Sequence, residues 1–231
     1  MEVELKRRLS NVKDNIKKAA QKAGRSLDEI ALIPISKNHN TDKIKFFYDM
    51  GIEVFGENRV QELQDKDEKL SDSNIKWHFV GHLQRNKVKY LLRMGNCIMI
   101  ESLDSWRLAK VVDKRAKKNR REISALVEVN VSGDDNKFGI KPEDTVDFVK
   151  KASKLEYIDI QGLMTLAPYL DDPEDTRPYF KKMVELRDEV NKCGIELPEL
   201  SMGMTNDYEI AIEEGATIVR VGTGIFGKRD Y

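Results

Sequence analysis

Lys37 closes the run Ala31-Leu32-Ile33-Pro34-Ile35-Ser36-Lys37, which is otherwise almost wholly apolar. A short apolar run of this kind reads as a buried strand. A lysine at its end stands half in the core and half in a pocket. Burial there disfavours the ammonium and makes the neutral, nucleophilic amine accessible, which is how lysines that form Schiff bases with carbonyl compounds are activated. Because the chain has 40 Lys and Arg residues, a solvated surface role remains the commoner one for such a lysine, and the rest of the sequence has to decide.

A second place with chemistry is Gly222-Thr223-Gly224-Ile225-Phe226-Gly227, a literal G-x-G-x-x-G. A dinucleotide fingerprint would need a helix, a further strand and an acidic residue about twenty positions on, and the sequence has no such continuation. The physics of the glycines remains: bare backbone lets N–H groups approach an anion, and Thr223 adds a hydroxyl. A phosphate cup and a tight closing turn are both open readings. Arg220 lies inside Ile218-Val219-Arg220-Val221, where a permanent charge must be paired in a structural salt bridge or face a ligand. Ser201, in Leu200-Ser201-Met202-Gly203, could donate to the same phosphate. Val54-Phe55-Gly56-Glu57-Asn58-Arg59 ends another apolar run in consecutive polar groups. His78 and His82 are four apart, which on a strand separates them, so a metal site is not expected. Ser36 beside Lys37 makes no hydrolase, since no G-x-S-x-G elbow exists.

These residues need elements to hold them. Leu5, Leu9, Val12, Ile16, Ala19 and Ala23 recur at helical spacing, and Gly24 ends that opening helix. Strands are expected at 31–37, 52–56, 76–81, 97–102, 123–131, 157–164, 198–202 and 217–222. Helices are expected near 41–50, 58–70, 85–94, 104–119, 142–154, 173–193 and 206–213. Regular alternation implies a parallel sheet covered by helices, and eight strands match a closed (β/α)8 barrel; an open doubly wound sheet is the alternative. Residues 227–231 leave no room for a full final helix, a place the opening helix could take. In such barrels the site gathers at the C-terminal strand ends, with phosphate after strands seven and eight. Lys37, Arg220 and Gly222–Gly227 then fall on one face. No linker or second domain is visible, so residues 1–231 read as a single domain.

The chain has 231 residues, 35% charged and 40% hydrophobic, with zero formal net charge. That balance is globular and carries no basic footprint for nucleic acid or anionic membranes. The basic stretch 114–121 reads as a solvated helix end. Cys97 and Cys193 are too few for a disulfide framework. With no apolar signal segment and no run long enough to span a bilayer, a cytoplasmic protein is expected, and since no exposed apolar stripe stands out, a monomer.

The ordered motifs resemble those of the pyridoxal phosphate homeostasis protein family over essentially the whole chain. They are Ile35-Ser36-Lys37, Phe55-Gly56-Glu57-Asn58, Trp77-His78-Phe79-Val80-Gly81-His82-Leu83-Gln84-Arg85-Asn86-Lys87, Asn136-Lys137-Phe138-Gly139-Ile140, Gly162-Leu163-Met164, Leu200-Ser201-Met202-Gly203-Met204 and Val219-Arg220-Val221-Gly222-Thr223-Gly224-Ile225-Phe226-Gly227. The resemblance implies a single (β/α)8 TIM barrel with an extra N-terminal helix, related to the N-terminal domain of alanine racemase and of fold type III among pyridoxal phosphate (PLP) proteins. It implies PLP held as a Schiff base on Lys37. Ser201, Gly222 and Thr223 would hold the phosphate, with Met202 beside them, Arg220 facing the ring nitrogen and Asn58 near the cofactor. Lys137 would make a secondary contact. The implied function is a carrier or regulator in PLP homeostasis, with indirect effects on amino-acid and keto-acid balance and PLP-dependent apo-enzymes as recipients.

Robust catalysis is not expected. The second base that racemases carry on a further β domain is not seen after strand eight, and an arginine opposite the pyridine nitrogen weakens the electron sink. A small PLP-dependent racemase or lyase acting on amino acids is the alternative. A lysine and a phosphate cup in a barrel would also suit a Schiff-base aldolase for phosphosugars.

Overall fold

A computed structural model describes residues 2–134 and 136–227; residues 228–231, part of the closing segment considered above, lie outside the described residues. Helix α1 (Glu2–Lys22) is followed by β1 (Ala31–Pro34), α2 (Thr41–Asp49), β2 (Val54–Glu57), α3 (Val60–Lys69), β3 (Lys76–Phe79), α4 (Val88–Leu91), β4 (Cys97–Leu103) and α5 (Trp106–Lys118). Then come β5 (Ile123–Glu128), α6 (Thr145–Ala152), β6 (Ile158–Met164), α7 (Arg177–Asn191), β7 (Glu199–Ser201), α8 (Tyr208–Glu213), β8 (Ile218–Val221) and the single turn α9 (Thr223–Phe226).

All strands pair in parallel, in the order β1-β8-β7-β6-β5-β4-β3-β2. The two ends of that order meet where Ile35 bridges Gly56 and the Ser36 N–H donates to the Gly56 carbonyl at 2.9 Å. The sheet is therefore a barrel, not an open doubly wound sheet. Helix α1 buries Leu5, Leu9, Val12, Ile16 and Ala19 and packs on α8 and α9, taking the place the sequence reading gave it.

The barrel interior has two layers. Ile33, Leu126, Met164 and Ile218 form an apolar cluster, with Val54 and Met99 packed against it, separate from the larger core between sheet and helices. Two positions further along, strand alternation puts the next side chain on the same face. From Met99 this leads to Glu101, from Leu126 to Glu128 and from Ile218 to Arg220, all buried. A polar layer thus sits on the apolar one, towards the C-terminal strand ends.

The first strand corrects an expectation. Regular pairing ends at Pro34, and Lys37 stands in a turn beyond it. The Ser36 carbonyl accepts the His39 N–H at 2.9 Å and Asn38 takes the left-handed φ of 61°. The chain turns off the ladder there, because asparagine tolerates that conformation. Residues 85–94 likewise hold only the short helix α4, and the helices expected from 142 and from 173 open with a 3-10 turn at each proline. Within the basic stretch, Arg121 departs from the solvated reading. Its guanidinium donates to the carbonyls of Met94 and Cys97.

Candidate functional site at the barrel mouth

A cavity of about 430 Å³ opens at the C-terminal ends of the strands. Lys37, Asn58, Arg220, Gly222 and Thr223 all line it. Five residues named from sequence therefore share one wall system, although they come from the ends of β1, β2 and β8. The register explains the meeting. Ile33 pairs with Arg220 and the Ile35 N–H donates to Val221, so the turn after β1 lies beside the turn after β8. Lys37 is half-buried there and Thr223 is exposed.

Ser201 and Met202 are placed differently. Both are fully buried at the end of β7 and neither is among the residues lining the cavity. The Ser201 hydroxyl donates to Glu101 Oε2 at 2.6 Å and accepts from Arg220 Nη1.

Arg220 is 3% exposed. Its Nη2 donates to the Thr165 carbonyl at 2.6 Å, and its Nη1 lies 3.6 Å from Glu101 Oε2. Burial pushes its pKa down, opposed by the carboxylates of Glu101, Glu128 and Asp207; a guanidinium nevertheless stays protonated in proteins. Burial acts to raise the Glu101 carboxyl, but it is held below its usual range by the hydrogen bond and charge of His78, by Arg220 and by Ser201. His78 Nδ1 lies 2.6 Å from Glu101 Oε1. The result is a continuous buried network from His78 through Glu101 and Ser201 to Arg220.

Two more carboxyls face this network. Burial, with repulsion from Asp104, pushes Glu128 up to about 7, against the pull of Arg220. Asp207 lines the cavity and is also raised by burial, opposed by the Met204 N–H it accepts at 2.6 Å and by Arg220. The second histidine, His82, pairs with Asp104 at 2.9 Å and stacks on Phe138 at 3.6 Å between ring centroids. Lys137 borders a separate pocket of about 180 Å³ beside Glu128.

Sequence reading missed Glu101, Asp207 and Lys66; it named Glu57 among the polar groups that end β2, and Thr165 at the end of β6, without the bonds they make. Glu101 carried a usable signal, a carboxylate inside the apolar run Cys97–Leu103. Lys66 falls three positions after Leu63 on the buried face of α3, where a lysine is out of place. Thr165 acts through its carbonyl, which no side-chain pattern announces.

One buried atom is unmatched. Among the described residues, Asn58 Oδ1 is the buried side-chain nitrogen or oxygen with no hydrogen-bond partner, and Asn58 lines the cavity. Such an atom is costly unless a ligand satisfies it.

Residues 8–230 match the family model described as alanine racemase, N-terminal domain. The pyridoxal phosphate homeostasis protein of Aquifex aeolicus (strain VF5) is 49% identical over 225 residues, covering 97% of this chain and 98% of that one. Its namesake from Mus musculus is 40% identical over 239 residues, covering 96% and 86%. The structure of PipY from Synechococcus elongatus PCC7942, with PLP bound, superposes with a TM-score of 0.80 at 33% identity, over 92% of this chain and 100% of that one. The chain belongs to the pyridoxal phosphate homeostasis protein family, on the barrel of the alanine racemase N-terminal domain.

Proposed function

We propose that this protein binds PLP reversibly and covalently through Lys37, and acts in intracellular PLP homeostasis as a carrier or regulator. The observation that carries this is the convergence of Lys37, Asn58, Arg220 and the Gly222-Thr223 turn on one cavity. The cavity volume is within the range of small-ligand sites, and the orphaned Asn58 Oδ1 fits a site built to receive a polar ligand. PLP supplies a reactive aldehyde and, in enzymes, an electron sink.

Lys37 is the amine that would hold the aldehyde. The bare backbone at Gly222 and the hydroxyl of Thr223 suit the phosphate, while Ser201 acts through Arg220, from whose Nη1 its hydroxyl accepts, and Met202 is buried beside it. The permanent cation of Arg220 in the cavity wall disfavours a second positive charge on a neighbouring ring nitrogen, which weakens the sink that racemases and lyases need. Retention and release then dominate over turnover. The wider reading is a cytoplasmic monomer, formed by one domain, that passes PLP to PLP-dependent apo-enzymes; amino-acid and keto-acid balance would follow indirectly. Among the described residues no helix is long and apolar enough to cross a membrane.

The test is to load the purified protein with PLP, record the absorbance of the bound cofactor, reduce with borohydride and map the modified residue. The expected label is on Lys37, and it is lost in Lys37→Ala. No bound-cofactor band, or a label elsewhere, overturns the reading. Exchange of amino-acid α-protons at enzyme-like rates would make the protein a racemase or lyase instead.

A further inference from the structure

We propose that Lys66 is a positioning residue for Lys37, and that with Glu57 and Glu62 it sets the turn that presents the reactive amine. The inference rests on the reading of Lys37 as the residue that holds PLP. Lys66 is 5% exposed although it lies on a charged helix. Its Nζ donates to the Ser36 carbonyl at 2.7 Å, to Glu57 Oε2 at 2.6 Å and to Glu62 Oε1 at 2.7 Å. An ammonium has three protons to give, and these three acceptors use them.

The acceptors bracket Lys37. The Ser36 carbonyl belongs to the peptide that leads into Lys37. On the other side, the Asn38 N–H donates to the same Glu62 Oε1 at 2.6 Å. Glu62 and Lys66 are one turn apart on α3, so a single helical turn grips the backbone before and after the reactive lysine. Asn38 holds φ at 61°, which asparagine tolerates, and its N–H bond to Glu62 fixes the turn in that conformation. Glu57 extends the grip to the second site residue. Its Oε2 accepts from the Ser36 hydroxyl at 3.0 Å, and its Oε1 accepts the Asn58 N–H at 2.7 Å. One buried cluster therefore sets both Lys37 and Asn58. Burial pushes the Glu57 carboxyl up, and the charge and hydrogen bond of Lys66 oppose that in part.

Burying a lysine among carboxylates is a poor way to gain stability, because desolvation offsets the attraction. Holding a reactive group in one geometry is a use that justifies such a cluster.

The experiment compares full-length wild type, Lys66→Met and Glu62→Gln, each titrated with PLP, with affinity and the pH midpoint of the bound-cofactor absorbance as readouts. Borohydride mapping and circular dichroism accompany each. Wild type is expected to label at Lys37. Folded Lys66→Met should bind PLP at least about tenfold more weakly, as loss of outer-shell support does at other sites, with a shifted midpoint. Glu62→Gln should move both readouts the same way by less. If wild type labels Lys37 while folded Lys66→Met keeps affinity and midpoint, the positioning role is wrong. If Lys66→Met does not fold, Glu62→Gln decides by the same criteria. A wild type that never labels Lys37 defeats the cofactor reading itself, and that failure is visible in the wild-type arm alone.

Discussion

A guanidinium that is 3% exposed has to be matched bond by bond, and Arg220 is matched by one carbonyl, one hydroxyl and a carboxylate held behind that hydroxyl. Glu101 is the keystone, since it also takes His78. Glu101→Gln keeps the shape and removes the charge, leaving Arg220 with the more distant Glu128 and Asp207. Removing one partner of a buried pair costs on the order of 3–5 kcal/mol, so urea unfolding at pH 7 should show a loss of about 3 kcal/mol; a loss below about 1 kcal/mol would mean that water or the other carboxyls compensate Arg220. At this scale the sequence was readable where a charge interrupts an apolar run. Lys37 and Arg220 were found that way. Lys66 was not, because it sits in Gln64-Asp65-Lys66-Asp67-Glu68 and its charged neighbours disguise a buried position. Ser201 was found, but its bonds to Glu101 and Arg220 depend on β4 lying across the barrel and on β8 pairing beside β7, which no local pattern encodes.

Alternation of apolar runs with amphipathic stretches made all eight strands legible as elements, because period and punctuation are local. Their ends were less legible: hydrogen bonding across strands decides where a ladder stops, as at Pro34. Close approaches between strands were equally hidden. A Cβ on Gly162 of β6 would lie 1.9 Å from the carbonyl oxygen of Glu199 on β7 and 2.6 Å from its carbonyl carbon. Both are backbone atoms, so no side chain can swing aside. β7 has three residues and would have to move outward, taking Ser201 with it. Gly162→Ala should therefore destabilise the protein by ~2–3 kcal/mol, towards the upper end of overpacking effects. Amide hydrogen exchange should localise the damage to the Thr165 N–H, which donates to Ser201 at 3.0 Å, and the Met202 N–H, which donates to Ile218 at 3.1 Å. Unchanged exchange at those two amides would show that the barrel absorbs the methyl elsewhere.

For the molecule as a whole, the interior carboxyls pull the pH dependence of stability in two directions. Glu101 is held below its usual range; its contribution is present above the unfolded value and is lost as pH falls through the folded one. Glu57, Glu128 and Asp207 are raised by burial, which has the opposite sign. Glu128 is the clearest case, 6% exposed and pushed up to about 7 by burial and by Asp104, with Arg220 only partly offsetting them. Below about 4.5, the unfolded value, Glu128 is protonated in both states and costs nothing. Between there and about 7 the folded state holds the extra proton, so stability falls as pH rises, by roughly 3 kcal/mol in total at about 1.4 kcal/mol per pH unit. Above 7 the penalty is complete and constant. Glu128→Gln removes this one titration and leaves Glu57, Asp207 and Glu101 as they were. Cofactor-free Glu128→Gln should match wild type near pH 4.5 and exceed it by ~2–3 kcal/mol at pH 8, read from urea midpoints across that range. A variant offset that is the same at both ends would mean that Glu128 ionises at its ordinary value, and that the interior above β5 is wetter than its burial implies.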